Sequence, residues 1–157
     1  MTGLPAENVQ DYPRPPALEA VPQTLRVMLG GETVAESARC LRVLETHHAP
    51  TYYFPAEDVV AKLTSSAGST FCEWKGHAAY FDVESGGAMA KRAAWAYPKP
   101  TAKFRDLTDY VSFYAGAMEA CFVGEERVIP QPGDFYGGWV TRNLQGQVKG
   151  AAGTEFW

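Results

Sequence analysis

The sequence predicts an all-β domain of antiparallel, strongly coiled sheets that close toward a small barrel. About eight short runs rich in Val, Tyr, Phe and Trp are separated by turns that contain glycine and proline, and such runs are typical of antiparallel strands. The gaps between the runs are mostly too short for the crossover helices of a parallel sheet. Only residues 55–63 favour a helix.

The strands are predicted from the positions of apolar runs and of the turns that end them. Gly30-Gly31 separates two short runs in the manner of a tight primed turn, and Ser85-Gly86-Gly87 marks another hairpin. Pro98 and Pro100 end a later strand. The expected strands cover residues 25–29, 32–36, 41–45, 51–54, 70–75, 77–84, 92–97, 110–114 and 118–123.

Residues 55–63 are the best helix candidate. Pro55 is tolerated in a first helical turn, and Glu57 and Asp58 suit the positive N-terminal end. Apolar residues follow at positions that share one helical face. The polar stretch 64–68 should end this short helix.

Two atypical segments flank the predicted β domain at residues 23–124. Residues 1–22 contain five prolines, so we expect an extended arm, loose or laid across the body or across a partner subunit in a homodimer. Residues 125–157 combine Gly, Pro and aromatic residues, and each buried aromatic side chain removes about 150–250 Å² from water. We therefore expect this extension to pack on the domain. Its anchors would be Phe135, Tyr136, Trp139, Phe156 and Trp157.

Composition limits the classes of function. The 157 residues have a net charge of −4 and no basic cluster longer than Lys91-Arg92, so we expect no nucleic-acid partner and no anionic membrane. The chain has three cysteines, which are Cys40, Cys72 and Cys121. Their odd number argues against a disulfide framework, and their spacing does not suit a zinc site, so we predict neither a disulfide framework nor a metal site. With no signal-like segment and no long apolar run, the expected compartment is the cytoplasm.

Two aromatic blocks, residues 45–59 and 71–81, carry the functional prediction. Both place charged or reactive groups among strand-forming aromatic residues, where a chain that needed only a core would more often have Val, Ile or Leu. The mixture indicates a concave small-molecule site with an aromatic wall. The candidate ligand-binding residues are Tyr52, Tyr53, Tyr80 and Trp95, and the candidate catalytic residues are Cys72, Lys75 and Glu45.

These residues leave binding and catalysis open as alternatives. Lys75 is the only lysine in either block, which suits it to an anionic group of a ligand. Cys72 would be a nucleophile if Lys75 lowered the pKa of its thiol, but this needs a bend near Gly76, because residues three apart on a strand face opposite sides. Otherwise Cys72 is a small buried hydrophobe. Glu45 is either a general acid or base of the site or a polar residue of the outer face.

Several motifs follow one another in the order of a known family. They include Thr-Tyr-Tyr-Phe-Pro (51–55), Cys-x-x-Lys-Gly-x-Ala-x-Tyr (72–80), Ala-Trp-x-Tyr-Pro (94–98) and Tyr-Val-x-Phe-Tyr (110–114). With these motifs, residues 24–124 resemble the domain-of-unknown-function 427 family. The resemblance implies a small all-β protein, mostly bacterial, of unassigned activity and sometimes labelled a nucleotidyltransferase. One departure is Glu73, where the family pattern usually has Pro.

The nucleotidyltransferase label has a weak counterpart in the sequence. Gly68-Ser69 precedes Asp82 and Glu84 at a spacing that loosely matches the Gly-Ser and Asp-x-Glu elements used to hold a nucleotide and two metal ions. However, the segment between them favours a strand rather than the helix of such enzymes. A metal-dependent transferase is therefore the weaker enzyme alternative, beside a Cys72 nucleophile. The sequence identifies no cofactor.

Overall fold

The computed structural model describes residues 4–72, 74–132 and 136–150. These residues form a seven-stranded and a four-stranded β-sheet, with two small two-stranded sheets beside them. The strands are β1 Glu7–Asn8, β2 Ala17–Ala20, β3 Leu25–Leu29, β4 Glu32–Ser37, β5 Leu41–Leu44, β6 Thr51–Pro55, β7 Lys62–Cys72, β8 Gly76–Ser85, β9 Ala88–Ala96, β10 Tyr110–Phe113, β11 Ala120–Val123, β12 Glu126–Arg127, β13 Ile129–Pro130, β14 Trp139–Val140 and β15 Leu144–Gln145. Four short 3-10 helices cover Val9–Asp11, Ala56–Asp58, Ala102–Leu107 and Ala115–Ala117.

Both main sheets are antiparallel. The larger has the order β2-β5-β6-β10-β9-β8-β7, and the smaller has the order β12-β11-β3-β4. Gly86 and Gly87 join β8 to β9 with positive φ angles of 57° and 80°, the conformation that a tight primed hairpin turn requires. The predicted antiparallel all-β class is confirmed.

Alternation along β6 gives the larger sheet two apolar faces. Tyr52 and Phe54 enter the core between the two main sheets, whereas Tyr53 enters a second, aromatic cluster on the opposite face. Trp139 completes the first core: its indole is fully buried, and its Nε1 donates to the Phe113 carbonyl at 3.0 Å. The larger sheet is therefore covered on both sides at its centre.

The predicted closure into a barrel is wrong. Within the described ranges, neither main sheet returns to its first strand, and β2 and β7 remain the edge strands of the larger sheet. The two sheets instead bury their apolar faces against each other, which is the arrangement of a sandwich.

The predicted helix over residues 55–63 is too long. Only the 3-10 turn Ala56–Asp58 forms, and β7 begins at Lys62. Between them, the backbone N–H groups of Val60 and Ala61 both donate to the Val34 carbonyl, at 2.8 and 3.1 Å. This pairing with β4 replaces the helix, as the β-branched Val59-Val60 pair favours.

Both ends of the described chain contact the body. β2 pairs with β5, and Arg42 on β5 forms ion pairs with Glu7 and Glu19 at 3.1 and 2.6 Å. β15 pairs with β1. The boundaries 1–22, 23–124 and 125–157 stay a prediction, and the predicted anchors Phe135, Phe156 and Trp157 lie outside the described residues. None of the helices in the described ranges is long and apolar enough to cross a membrane.

Candidate functional site

A cavity of about 290 Å³ lies on the face of the larger sheet that carries the aromatic cluster. We call it the aromatic cavity. Its floor comes from β6, β8 and β9, and residues 136–138 form one of its walls. It is lined by six of the seven candidate site residues, namely Glu45, Tyr53, Cys72, Lys75, Tyr80 and Trp95.

Cys72 and Lys75 reach one cavity because the chain turns between β7 and β8. Cys72, the last residue of β7, is the pairing partner of Gly76, which has a φ of 109°. Thr101 holds the turn: its N–H donates to the Lys75 carbonyl at 3.0 Å, and its hydroxyl donates to the Trp74 carbonyl at 2.6 Å. The bend that a regular strand lacks is therefore present. The catalytic roles of Cys72, Lys75 and Glu45 stay predictions.

Tyr52 does not line the aromatic cavity. It is adjacent to Tyr53 on β6, so its side chain points to the opposite face. There its ring packs at 5.3 Å, centroid to centroid, from that of Trp139. This separates Tyr52 from the predicted ligand-binding set, because alternation allows only one of two neighbouring tyrosines to face a given side of a strand.

Tyr53 forms the buried floor of the cavity. Its ring lies 6.4 Å from the rings of both Trp95 and Tyr97. Burial raises the pKa of Tyr53, so the phenol is neutral at physiological pH. Its hydroxyl makes no hydrogen bond of normal geometry within the described part of the chain, whereas most buried polar side-chain atoms in proteins have a hydrogen-bond partner.

His48 and Glu45 supply a polar side of the cavity. His48 Nε2 lies 3.8 Å from Glu45 Oε2, and Nδ1 lies 3.3 Å from Gln131 Nε2. Burial, together with the positive charges of Lys149 and Lys75, lowers the pKa of His48 to about 4. The imidazole is therefore neutral at pH 7 and does not neutralise the Glu45 carboxylate.

Two lysines bring positive charge to the same cavity. Lys75 Nζ lies 5.7 Å from the centre of the Tyr97 ring, and Lys149 Nζ lies 5.8 Å from that of Tyr136. Within the described ranges, no carboxylate forms an ion pair with Lys75. Its ammonium group is available to an anion that enters the cavity.

Residues 136–138 form a wall of the cavity that was not predicted from the sequence. A Cβ atom on Gly137 would lie only 2.1 Å from Trp95 Cη2, so the backbone here runs directly against the indole. The Gln131 side chain supports the wall by donating to the Lys149 carbonyl at 2.8 Å. The Gly137-Gly138 pair between two aromatic residues could have indicated this wall from the sequence, because glycine permits close approach of the backbone to another group.

The carboxylates considered for a nucleotidyltransferase lie outside this cavity. Asp82 Oδ1 accepts from the Arg92 backbone N–H at 2.7 Å, and Asp82 Oδ2 lies 3.7 Å from Lys91 Nζ. Glu84 borders an open depression at the Gly86-Gly87 hairpin. In the described ranges, no three His, Cys, Asp or Glu residues cluster in a way that suits a metal ion.

Comparison with known families gives one match. Residues 17–124 match the model of a family described as Domain of unknown function (DUF427), labelled NTP_transf_9. The chain belongs to the DUF427 family. The DUF427 match runs from β2 to the end of β11 and includes the floor of the cavity and the Lys75 turn, whereas the wall at residues 136–138 lies beyond it. No curated protein matches the chain.

Proposed function

We propose that this DUF427 protein binds a small molecule that combines a planar ring with an anionic group. The observation that carries the proposal is the aromatic cavity itself, where the rings of Tyr53, Tyr80 and Trp95 surround a space that the Lys75 side chain also lines. Among the described residues, no carboxylate forms an ion pair with the Lys75 ammonium group. Aromatic walls with a few convergent polar groups are typical of small-molecule sites. A volume of about 290 Å³ equals that of about ten water molecules, which suits one ring with a few substituents.

The cavity is organised before a ligand arrives. The ring of Trp95 packs 4.5 Å from that of Tyr114 and 6.4 Å from that of Tyr53, so the surface that would contact a ligand ring has little freedom to lose. The Lys75 turn is held by the two hydrogen bonds from Thr101. Binding to such a surface needs little ordering of side chains. The ligand ring would displace water from apolar surface, and its anion would pair with Lys75.

Titration with benzoate and short para-alkylbenzoates tests this proposal. Binding would be followed by tryptophan fluorescence and by ligand-observed NMR. Lys75→Ala should weaken benzoate binding about tenfold, because it removes a charge-assisted hydrogen bond. Lys103→Ala is the matched control, since Lys103 Nζ lies 5.9 Å from the Phe104 ring but outside the cavity.

Neutral benzamide completes the design, because it keeps the ring and removes the charge. It should bind more weakly than benzoate, with the same affinity for the native protein and for Lys75→Ala. The proposal fails if benzoate does not bind, or if benzoate binds Lys75→Ala and the native protein equally well.

A Cys72 nucleophile is the second candidate function, and one observation favours it. Cys72 is half-buried and lines the aromatic cavity, whereas Cys40 and Cys121 are buried. Burial raises the pKa of both Cys40 and Cys121 to about 12, so neither forms a thiolate near neutral pH. Iodoacetamide at pH 6–7, followed by peptide mass spectrometry, should modify Cys72 alone and faster than a free thiol. A Cys72 that stays unmodified would end this candidate.

The transferase alternative rests on the family label and on the spacing of Gly68-Ser69 from Asp82. Both Gly68 and Ser69 lie within β7, and Asp82 is engaged by Arg92 and Lys91. A thermal-shift screen with nucleotides, with and without magnesium, tests this alternative. It requires stabilisation that depends on the metal.

A further inference from the structure

A second cavity of about 580 Å³ adjoins the aromatic cavity. We call it the Arg92 cleft, since the Arg92 side chain lines it and does not line the first cavity. The two cavities share a boundary, so a ligand in one is next to the other. The shared lining residues are Thr70, Tyr80, Tyr114, Tyr136 and Gly138.

Neutral hydroxyl groups line the junction of the two cavities. The hydroxyls of Thr70 and Tyr80 are hydrogen-bonded at 2.8 Å. Burial raises the pKa of Tyr114, and the neighbouring Tyr80 raises it further. The junction therefore carries no negative charge of its own and offers donors and acceptors to a polar linker.

Arg92 enters the cleft from a strained backbone position. Its φ is 49°, a left-handed value that non-glycine residues rarely adopt. The Asp82 carboxylate holds this conformation by accepting from the Arg92 N–H at 2.7 Å, and the β8–β9 register shifts between Phe81 and Val83. Such a bulge re-aims a side chain, and strain of this kind concentrates at functional sites.

The guanidinium group of Arg92 stacks on an aromatic ring and has no acidic partner among the described residues. Its central carbon lies 4.1 Å from the centre of the Tyr80 ring. Within the described ranges, no carboxylate forms an ion pair with it, and Asp82 pairs with Lys91 instead. A guanidinium group stacked by its face keeps its N–H edge available for a carboxylate or a phosphate.

We propose that the two cavities form one extended site for an elongated ligand with two anionic groups. The ring and the first anion occupy the aromatic cavity beside Lys75, and a second carboxylate or phosphate group binds Arg92. This inference rests on the proposed function. From Gly76, beside the Lys75 turn, to Tyr80, on whose ring the Arg92 guanidinium group lies, β8 rises about 14 Å at about 3.4 Å per residue. The ligand therefore needs a linker between its ring and its second anion.

A chain-length series of ligands tests the inference. The probes are benzoates with a para-linked alkyl chain of two to eight carbons that ends in carboxylate, in phosphate or in methyl. Above a threshold length, the charged end should improve the dissociation constant about tenfold over the methyl end of the same length, through the added charge-assisted hydrogen bonds. A gain with phosphate alone would identify the second anion as a phosphate.

Two substitutions separate Arg92 from general charge effects. In Arg92→Asn the gain in affinity from the charged end should disappear, so that charged and methyl-ended probes bind equally. Asparagine is chosen because it tolerates a positive φ, so the fold should be retained. Arg26→Gln is the matched control and should keep the gain, since the Arg26 guanidinium also stacks on a ring, 5.0 Å from that of Phe122, and lines neither cavity.

The outcomes distinguish this inference from the proposed function. If short benzoates bind but a charged end gives no gain at any length, or if the gain persists in Arg92→Asn, the extended site is overturned and the aromatic cavity remains. If short benzoates do not bind the native protein, the proposed function is itself overturned.

Discussion

Replacing Gly137 with alanine should strain the wall of the aromatic cavity. The new Cβ atom would lie 2.1 Å from Trp95 Cη2 and 2.8 Å from Cζ2, whereas contacting carbon atoms prefer about 3.5–4.0 Å. The backbone or the indole must therefore move by about 1.5 Å. The indole is confined by the rings of Tyr53 and Tyr114. Overpacking of this kind destabilises by about 1–3 kcal/mol, which lowers the melting temperature of a domain this size by about 2–12 °C.

Calorimetric melting of Gly137→Ala measures this effect, with Gly116→Ala as the matched control. A Cβ on Gly116 would meet Pro130 Cγ at 3.7 Å, an ordinary contact, so this variant should melt close to the native protein. Trp95→Phe removes the clashing atoms, so Gly137→Ala should destabilise much less in that background. A steric clash at Gly137 is refuted if Gly137→Ala melts like Gly116→Ala, or if the effect of Gly137→Ala on the melting temperature is unchanged by Trp95→Phe.

Two further predictions concern the C-terminal extension and pH. Truncation after Gly124 removes the fully buried Trp139 and should lower the melting temperature by about 10 °C or more; a monodisperse truncated protein that melts within a degree or two of the full chain would contradict this. His48 has a folded pKa of about 4, below its ordinary 6.5, so unfolded chains bind the proton first. The free energy of unfolding is therefore unaffected by His48 above pH 6.5 and decreases by about 3 kcal/mol between pH 6.5 and pH 4. Urea unfolding should show this loss in the native protein and in His77→Gln, but not in His48→Gln.

The fold was predictable where neighbouring residues decide it. The Gly86-Gly87 turn and the alternating apolar pattern depend only on residues close together in sequence, and the hairpins form at the positions that these features predict. The choice between a barrel and a sandwich depends on distant contacts, such as the packing of Trp139 at 6.1 Å from the Phe54 ring. The segment after Pro55 is a similar case, because its helical signals yield to hydrogen bonds with the Val34 carbonyl on another strand.

The sequence predicted which types of residue line the site, but it predicted the directions of their side chains less well. A mixture of aromatic and reactive residues pointed to Glu45, Cys72 and Lys75, which share one cavity, although what they do there stays a prediction. Alternation alone would have separated Tyr52 from Tyr53. Nothing in the sequence singles out Arg92, because the direction of its side chain depends on a bulge between paired strands.

The aromatic cavity is built from two parts of the chain, and under the proposed function each part would make its own contribution to ligand binding. The DUF427 match contains Tyr53, Trp95 and Lys75, whereas residues 136–138 and Lys149 lie beyond it. Without that wall, the same floor would be an open aromatic face, and a bound ring would keep one side in water. Covering the second side about doubles the apolar area removed from water, at about 25 cal/mol per Å². Under the proposed function, the family region would select the charge and shape of the ligand, and the C-terminal extension would set how tightly the ring is held.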